Sequence, residues 1–212
     1  MPGISPIVLI LGAGPRVGLS TAKAFASKGY KVAVAARSLN EAESTDSQLN
    51  IKSDFANPDD VINAFSKVKK ELGIPNVVIY NAGAATFAPP GDPFAIPLDA
   101  FKRDMIVNNT SVFVAAQQAV LGFAELPAEA PRVFAFTGNI LNVKPLPQFL
   151  ESGAGKFYYV DERKADGSAA FKIDGEAHAK LFCELAETKT QGPWLQTFVK
   201  GIGYRDFGPY HF

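Results

Sequence analysis

The feature that most constrains the fold is an unbroken apolar stretch that leads directly into a glycine-rich turn. Residues Ile7 to Leu11 read Ile-Val-Leu-Ile-Leu, and Gly12 follows at once. A continuous apolar run of this length is typical of a strand that is buried on both faces. Because strands of this kind belong to parallel sheets with helices packed on each side, the segment predicts a layered α/β fold.

The rest of the first half of the chain repeats this alternation of strands and helices. Helical patterns are expected at residues 17–28, 58–72 and 99–125. Further apolar runs predict strands at residues 31–36, 76–80 and 132–136. Short connections between alternating elements imply right-handed crossovers, and therefore a doubly wound parallel sheet. We expect a single α/β domain over residues 1–212, with ligand-binding residues at the carboxyl ends of its strands.

Composition and charge narrow the class of partner. The 21 basic residues balance the 21 acidic residues, so the formal net charge is zero, which argues against nucleic acid or an anionic membrane as the main partner. No secretory signal, transmembrane-length apolar run or Cys/His cluster with metal-ligand spacing is apparent, and the single cysteine is Cys183. We therefore expect a cytoplasmic protein that binds a small molecule and no metal.

The turn after the first predicted strand has the composition of a nucleotide site. It reads Gly-Ala-Gly-Pro-Arg-Val-Gly from Gly12 to Gly18. Glycine permits the tight turn, small residues allow the backbone to approach a pyrophosphate, and the following helix supplies amide donors. Because a strand precedes the turn and a helix follows it, the pattern predicts dinucleotide binding. The residues expected to take part are Gly12, Gly14, Arg16, Val17 and Gly18.

The residues after the second predicted strand bear on which dinucleotide is bound. Sites for NAD usually carry an acid at this position, which binds the ribose hydroxyls. Here Arg37 and Ser38 follow the strand instead. A guanidinium group suits a 2′-phosphate through charge-assisted, bidentate hydrogen bonds, and Arg16 can assist it. The sequence therefore favours NADP, bound as NADPH.

The glycine turn and three further motifs, which follow one another in the family's order, give the chain a resemblance to the short-chain dehydrogenase/reductase family. Asp54 and Phe55 match the family's turn that contacts the adenine. Residues Asn81, Ala82 and Gly83 match the N-A-G motif that lines the cofactor cleft. The resemblance implies a Rossmann-type NAD(P)-binding fold, and it is closest to divergent fungal-type members.

The last of the three further motifs is an asparagine in the long predicted helix. Asn108 matches the family asparagine that kinks the central helix and helps to organise a proton relay. The glycine turn itself departs from the family's T-G-x-x-x-G-x-G pattern at two positions, where Leu11 replaces the threonine and Arg16 replaces the middle glycine.

The family's catalytic residues are matched only in part. The family has a serine after the fifth strand and a Y-x-x-x-K pattern in the helix that follows. Counting from the fifth predicted strand places Asn139 at the serine, Ser152 at the tyrosine and Lys156 at the lysine. The lysine is retained and the tyrosine is absent. The resemblance therefore implies Asn108, Asn139, Ser152 and Lys156 as candidate catalytic residues.

A second register aligns residues 175–187 with the family's catalytic helix and loses both the tyrosine and the lysine. We prefer the first register because its spacing from the fifth strand is right. It makes residues 156–160 the sixth strand, which leaves no room for the family's fifth helix and suggests an internal deletion. Tyr158 and Tyr159 are the nearest phenols, and alternation along a strand lets at most one of them face the cleft. Packing is the favoured role for both, and residues 161–164 are expected in a solvated turn.

Two functions follow from this pattern. The first is an NADPH-dependent reductase of a carbonyl or imine, with a proton donor other than the family's tyrosine. The second is a catalytically inactive NADP-binding sensor or regulatory protein with the same fold. A third hypothesis is that the deletion leaves a poorly stable or altered fold, which binds the cofactor weakly. The resemblance is also compatible with a homo-oligomer, although the helix that often packs between subunits is the one that is missing.

Overall fold

The computed structural model describes residues 5–86, 95–138 and 156–208. The described strands are β1 (Ile7–Leu11), β2 (Lys31–Ala36), β3 (Gln48–Lys52), β4 (Val77–Tyr80), β5 (Val133–Thr137), β6 (Lys156–Arg163), β7 (Leu195–Val199) and β8 (Gly203–Tyr204). The described helices are α1 (Val17–Ser27), α2 (Pro58–Glu71), α3 (Leu98–Met105), α4 (Ser111–Glu125) and α5 (Gly175–Glu187). A short 3₁₀ helix spans Glu41–Glu43, and a π-helical turn, Ile106–Thr110, joins α3 to α4.

The strands form one sheet in the order β3-β2-β1-β4-β5-β6-β7-β8. All neighbouring strands are parallel except β7 and β8, which are antiparallel. This arrangement confirms the doubly wound parallel sheet. The strand order reverses between β1 and β4, and the crevice at such a reversal is where these sheets bind ligands.

Strand β1 is buried on both of its faces, as its composition predicts. Val8 and Ile10 belong to a core that α1 and α5 cover, whereas Leu9 and Leu11 belong to a second core that α2 and α4 cover. Because every residue of β1 packs into one of two cores, no position of the strand tolerates a polar side chain without a large loss of apolar burial.

Helix α2 begins and ends where local signals predict. The side chain of Asn57 accepts a hydrogen bond from the Asp59 amide, and Pro58 occupies the first helical position. Gly73 follows the helix with a φ of 114°. Among the described helices, none is both long and apolar enough to cross a lipid bilayer.

Strand β6 begins at Lys156, where the sequence predicts it, and pairs directly with β5. Val133 lies opposite Lys156 and Thr137 lies opposite Val160. The strand continues to Arg163, so the predicted solvated turn at 161–164 is wrong over its first three residues, Asp161 to Arg163, which are buried. The family's fifth helix would have to lie within residues 139–155, which are outside the described residues, and so are the candidates Asn139 and Ser152.

Candidate cofactor and active site

The glycine turn is built from backbone groups of three strands. Gly12 has a φ of 99°, which favours glycine, and its amide donates to the carbonyl of Ala35 at 2.9 Å. A Cβ atom at Gly12 would overlap the backbone of Asn81 and Ala82. The turn therefore lies in direct contact with the N-A-G segment, and only glycine fits at this position.

Gly14 and Gly18 serve the turn in different ways. A Cβ atom at Gly18 would lie 2.5 Å from the Cα atom of Ala13, so this glycine allows α1 to pack against the turn. A Cβ atom at Gly14 would meet no described atom within 4 Å. No described side chain caps the start of α1 at Arg16. The open side of Gly14 and the uncapped helix start together form a cradle that fits a pyrophosphate.

The N-A-G segment is hydrogen-bonded to the glycine turn. The Asn81 side-chain amide donates to the carbonyl of Gly12 at 2.7 Å. The backbone amides of Asn81 and Ala82 both donate to the carbonyl of Leu11, at 2.7 and 3.0 Å. Two motifs that lie about 70 residues apart in sequence thus form a single structural unit. Gly83 continues this segment beside the side chain of Asn108, whose Oδ1 atom would lie 3.8 Å from a Cβ atom at Gly83.

Asn108 lies in the π-helical turn and holds the segment that follows β4. Its Oδ1 atom accepts from the amide of Ala84 at 3.0 Å, and its Nδ2 atom donates to the carbonyl of Ala84 at 2.6 Å. The hydroxyl of Tyr80 donates to the carbonyl of Val107 at 2.6 Å. The irregular turn therefore orients Asn108 toward the cleft, where both polar atoms of its amide bind one residue.

A groove of about 790 Å³ lies at the carboxyl ends of β2 and β3. It is lined by Arg37, Leu39, Asn40, Glu41, Lys52, Ser53, Asp54 and Asp60. Arg37 is exposed and forms no ion pair with any residue in the described ranges. Ser38 follows it and is also exposed. This groove adjoins the glycine turn through β2, because Gly12 and Ala13 both donate to the carbonyl of Ala35.

The structure corrects one expected cofactor residue. The side chain of Phe55 is buried in the core between the sheet and α2 and α4, where its ring lies 5.9 Å from that of Tyr80. Its carbonyl accepts a hydrogen bond from Ser111 at 2.7 Å. The side chain of Phe55 therefore packs in the core, whereas its neighbour Asp54 lines the groove itself.

Lys156 lies at the wrong edge of the sheet for the role that the family register assigns to it. It begins β6 opposite Val133, the first residue of β5, so it lies at the amino edge of the sheet. Its Nζ atom donates to the carbonyls of Leu185, Ala186 and Thr188 at the end of α5. The cofactor cradle is at the opposite edge. This position gives no support to the expected catalytic role of Lys156, whose side chain caps the end of α5.

The two neighbouring tyrosines of β6 differ in where their hydroxyls lie. The Tyr158 hydroxyl lies 3.3 Å from Thr188 Oγ1 and accepts from the amide of Gly192 at 3.4 Å. The ring and hydroxyl of Tyr159 cover Gly138, at the carboxyl end of β5, so closely that a Cβ atom there would overlap them. Of this pair, only Tyr159 brings its phenol to the end of β5.

Buried charges occupy the carboxyl end of β6. The guanidinium of Arg163 contacts the carboxylate of Asp161 at 2.7 Å, and both side chains are almost fully buried. On the other face of the strand, Glu162 lies 3.5 Å from the Nδ1 atom of His178. Burial lowers the pKa of His178, although the carbonyl of Asp174 and the carboxylate of Glu162 oppose that shift. These contacts give His178 a structural role, as a lone helical histidine predicts. Among the described residues, no group of His, Cys, Asp and Glu could hold a metal ion.

Lys52, Glu41 and Lys67 form part of this region but were not singled out from the sequence. The Glu41 carboxylate accepts from the amide of Lys52 at 3.1 Å and pairs with Lys67 Nζ at 2.8 Å. Strand β3 carries no continuous apolar run that would have revealed it. Without that strand, nothing in the sequence places Lys52 beside Arg37.

Comparison with known proteins identifies the family. The chain matches the short chain dehydrogenase family over residues 6–144. It is 41% identical over 235 aligned positions to the short chain dehydrogenase/reductase dmxR12 of Cryptosporiopsis sp., covering 96% of this chain and 95% of the relative. The chain therefore belongs to the short-chain dehydrogenase/reductase family.

Solved structures share the same fold. The 3-ketoacyl-(acyl-carrier-protein) reductase of Brucella melitensis, solved with NADH, has a TM-score of 0.74 at 17% identity, covering 94% of this chain and 99% of that chain. The NADPH-dependent 3-quinuclidinone reductase of Rhodotorula rubra has a TM-score of 0.70 at 20% identity, covering 93% of this chain and 90% of that chain. Both are reductases by name, and the two names mention different nicotinamide cofactors.

The alignment with the Cryptosporiopsis relative also bears on the expected internal deletion. It spans 235 positions, whereas this chain has 212 residues. Some positions of the relative therefore have no counterpart here. This difference is consistent with an internal deletion relative to other members of the family.

Proposed function

We propose that this protein binds NADP(H) and reduces a carbonyl or imine group of a small molecule. The observation that carries the proposal is the unit formed by Gly12, the open side of Gly14 and the clamped N-A-G segment, beside a groove in which Arg37 forms no ion pair with a described residue. Dinucleotide binding requires room for the phosphates, amide donors and a cation, and these parts would supply all three.

The residues of the cradle fit the cofactor. Backbone amides at the start of α1 would bind the pyrophosphate, and Gly14 leaves the space that it requires. Arg37 would bind the 2′-phosphate, with Arg16 and Ser38 beside it. Asp54 would contact the adenine, and Asn81, Ala82 and Gly83 would line the cleft. Bound NADPH would supply the hydride.

Proton delivery has to come from a group other than the family's tyrosine. Asn108 holds the Ala84 backbone and keeps the cleft wall in position. Asn139 and Ser152 are retained as proposed neighbours of the substrate, on the strength of their register alone. Tyr159, water or the substrate itself would supply the proton, and of the described phenols on β6 only Tyr159 reaches the end of β5.

Parallel fluorescence titrations with NADPH and NADH test the cofactor proposal. We expect tighter binding of NADPH, and we expect Arg37→Met to remove most of that preference while leaving NADH binding nearly unchanged. Lys31→Met, at the opposite end of the same strand, is the control. Equal affinity of the wild-type protein for both nucleotides would contradict the assignment of NADP.

A second candidate function is a catalytically inactive NADP-binding protein. The observation that favours it is the position of Lys156, which caps α5 at the amino edge of the sheet rather than facing the cleft. NADPH oxidation can be followed by absorbance with a panel of aryl ketones, diketones and cyclic imines. Turnover of any of them supports the reductase, whereas tight binding without turnover supports the inactive module.

We further propose a cytoplasmic protein that self-associates and binds neither nucleic acid nor membrane. The proposal of self-association is supported by apolar side chains that α4 leaves exposed, among them Phe113 and Leu121, beside a small apolar pocket. Light scattering during size-exclusion chromatography measures the mass. A monomer at every concentration would contradict self-association.

A further inference from the structure

The groove beside Arg37 contains carboxylates as well as cations. The charged groups that line it are Arg37, Glu41, Lys52, Asp54 and Asp60. Counting charges alone would make the groove weakly acidic and unsuited to a phosphate. The acids and the bases of the groove, however, differ in the contacts that they already make with neighbouring residues.

The three carboxylates are all bound to neighbouring groups. Asp60 accepts from the amide of Asp54 at 2.7 Å and from the side chain of Asn57 at 3.1 Å. Asp54 accepts from the amide of Ala56 at 3.0 Å. These contacts hold Asp54 before α2 and Asp60 in the first turn of that helix, and they use part of the acceptor capacity of both carboxylates.

Glu41 is held most firmly, because both of its oxygens are used. Oε1 accepts from the backbone amide of Lys52, and Oε2 contacts the ammonium of Lys67 at 2.8 Å. The Lys67 contact and then the Lys52 amide lower the pKa of Glu41, so its carboxylate stays ionised. Each oxygen of this carboxylate already has a donor, and these two contacts fix its position in the groove.

The two cations of the groove make no such close contact, although the charge of Lys52 is near enough to Glu41 to help lower the pKa of that carboxylate. Within the described ranges, which are 5–86, 95–138 and 156–208, neither Arg37 nor the ammonium of Lys52 forms an ion pair. Lys52 ends β3 opposite Ala36, and Arg37 is the next residue of the neighbouring chain segment. The two side chains therefore leave adjacent strands at the same edge of the sheet.

We infer that Lys52 is a second ligand of the 2′-phosphate, and that Lys67 is a positioning residue that keeps Glu41 away from the nucleotide. This inference rests on the proposed function and identifies what sets its specificity. A phosphate monoester carries nearly two negative charges, which Arg37 and Lys52 would match from two strands.

The role of Lys67 follows from what Glu41 would otherwise do. An acid near the end of the second strand binds the ribose hydroxyls in NAD-dependent proteins. A released Glu41 would also pair with Arg37 or Lys52 and compete with the phosphate. Lys67 therefore favours NADP indirectly, by holding the carboxylate on the side of the groove where α2 lies.

Calorimetric titration with 2′,5′-ADP and with 5′-AMP isolates the 2′-phosphate, because the two probes differ in that group alone. We expect Lys52→Met to weaken 2′,5′-ADP binding by about fivefold to tenfold and to leave 5′-AMP binding within about twofold. Lys31→Met, an exposed lysine at the other end of β2, is the matched control and should change neither. The salt dependence of 2′,5′-ADP binding should also become shallower in Lys52→Met.

A double-mutant cycle tests Lys67. We expect Lys67→Met to lower the ratio of 2′,5′-ADP to 5′-AMP affinity by about threefold, a modest effect because the ion pair is partly exposed. Adding Glu41→Gln should restore the ratio, and Lys67→Arg should preserve it. A structural defect would weaken both probes equally and would not be restored by a change at Glu41.

The outcomes separate this inference from the proposed function. If the wild-type protein binds 2′,5′-ADP no more tightly than 5′-AMP, the NADP assignment fails and this inference fails with it. If the wild-type protein prefers 2′,5′-ADP but Lys52→Met keeps that preference, Arg37 acts without Lys52 and only this inference is overturned. Additive effects of Lys67→Met and Glu41→Gln would overturn the role of Lys67.

Discussion

Strands β1 to β4 and strands β5 to β8 belong to one sheet, yet their carboxyl ends are constructed differently. In the first set, Gly12, Asn81 and Asn108 join three distant segments through contacts with backbone groups and leave the side of Gly14 open. In the second set, side chains occupy the described ends of the strands: the Tyr159 ring covers Gly138, and Asp161 and Arg163 form a buried ion pair. Among the described residues, backbone groups therefore shape the first half of this edge, whereas side chains shape the second half.

The largest effect in this comparison is expected at Gly12. Gly12→Ala places a Cβ atom into the backbone of the N-A-G segment at a positive φ, so we expect a loss of stability on the order of 3 kcal/mol and no NADPH binding. Gly14→Ala is the matched control. It should unfold at nearly the wild-type denaturant concentration but bind NADPH more weakly. Equal stability of both variants would show that the turn does not need its contact with Asn81.

The clamp made by Asn108 should come next in size. Asn108→Ala leaves the amide and carbonyl of Ala84 without their partners, so we expect a loss of about 1–3 kcal/mol in the free energy of unfolding. Asn109→Ala removes only a weak contact with the sulfur of Met105 and should change stability little. Urea denaturation of the two variants measures the difference, and similar losses would argue against the clamp.

In the second half of the sheet, His178 predicts a pH dependence of stability. Burial places its folded pKa below the ordinary value near 6.5, so the unfolded chain binds a proton more readily. Stability should therefore be highest above about pH 7 and fall as the pH drops, with a slope of at most about 1.4 kcal/mol per pH unit. His178→Gln should flatten this dependence in urea titrations between pH 7 and pH 5. An unchanged slope would assign it to other groups.

The smallest effect is expected at Lys156, and it tests directly whether a residue of β6 takes part in cofactor binding. Lys156→Met removes a cation from the carbonyls at the end of α5, so we expect a loss of about 1 kcal/mol in stability. NADPH binding should be unchanged, because the lysine lies at the amino edge of the sheet. A selective loss of NADPH affinity in a stably folded variant would revive the family's role for this lysine.

The sequence predicted the elements whose signals are local. The run from Ile7 to Leu11 predicted β1, and Asn57, Pro58 and Gly73 predicted the limits of α2. The glycine turn and the N-A-G segment were predicted separately, and the structure joins them. Strand β3 was missed although Gln48–Lys52 alternates polar and apolar residues, which is typical of a half-buried strand, because the strands were predicted from continuous apolar runs.

The second half was harder to predict because its charged residues are buried by contacts that their sequence pattern does not reveal. Asp161, Glu162 and Arg163 look like a solvated turn until their partners are known. Glu162 accepts from the amide of Asp174, and Arg163 donates to the carbonyl of Gly167. The partners of Lys156 could not be predicted for a related reason, since the carbonyls that it contacts at the end of α5 lie about 30 residues further along the chain.

The order of the strands also has a consequence for synthesis on the ribosome. Strand β1 is flanked by β2 and by β4, so its second neighbour emerges only after about 70 further residues have been made. Until then one edge of an entirely apolar strand is exposed and open to mispairing. Once Tyr80 and then α4 have emerged, the contacts among Gly12, Asn81 and Asn108 all lie within the residues made by then, whereas the core on the α1 side of the sheet still lacks α5. We therefore expect nascent chains that end after Glu125 to gain resistance to proteolysis, and NADPH to increase that resistance before translation is complete.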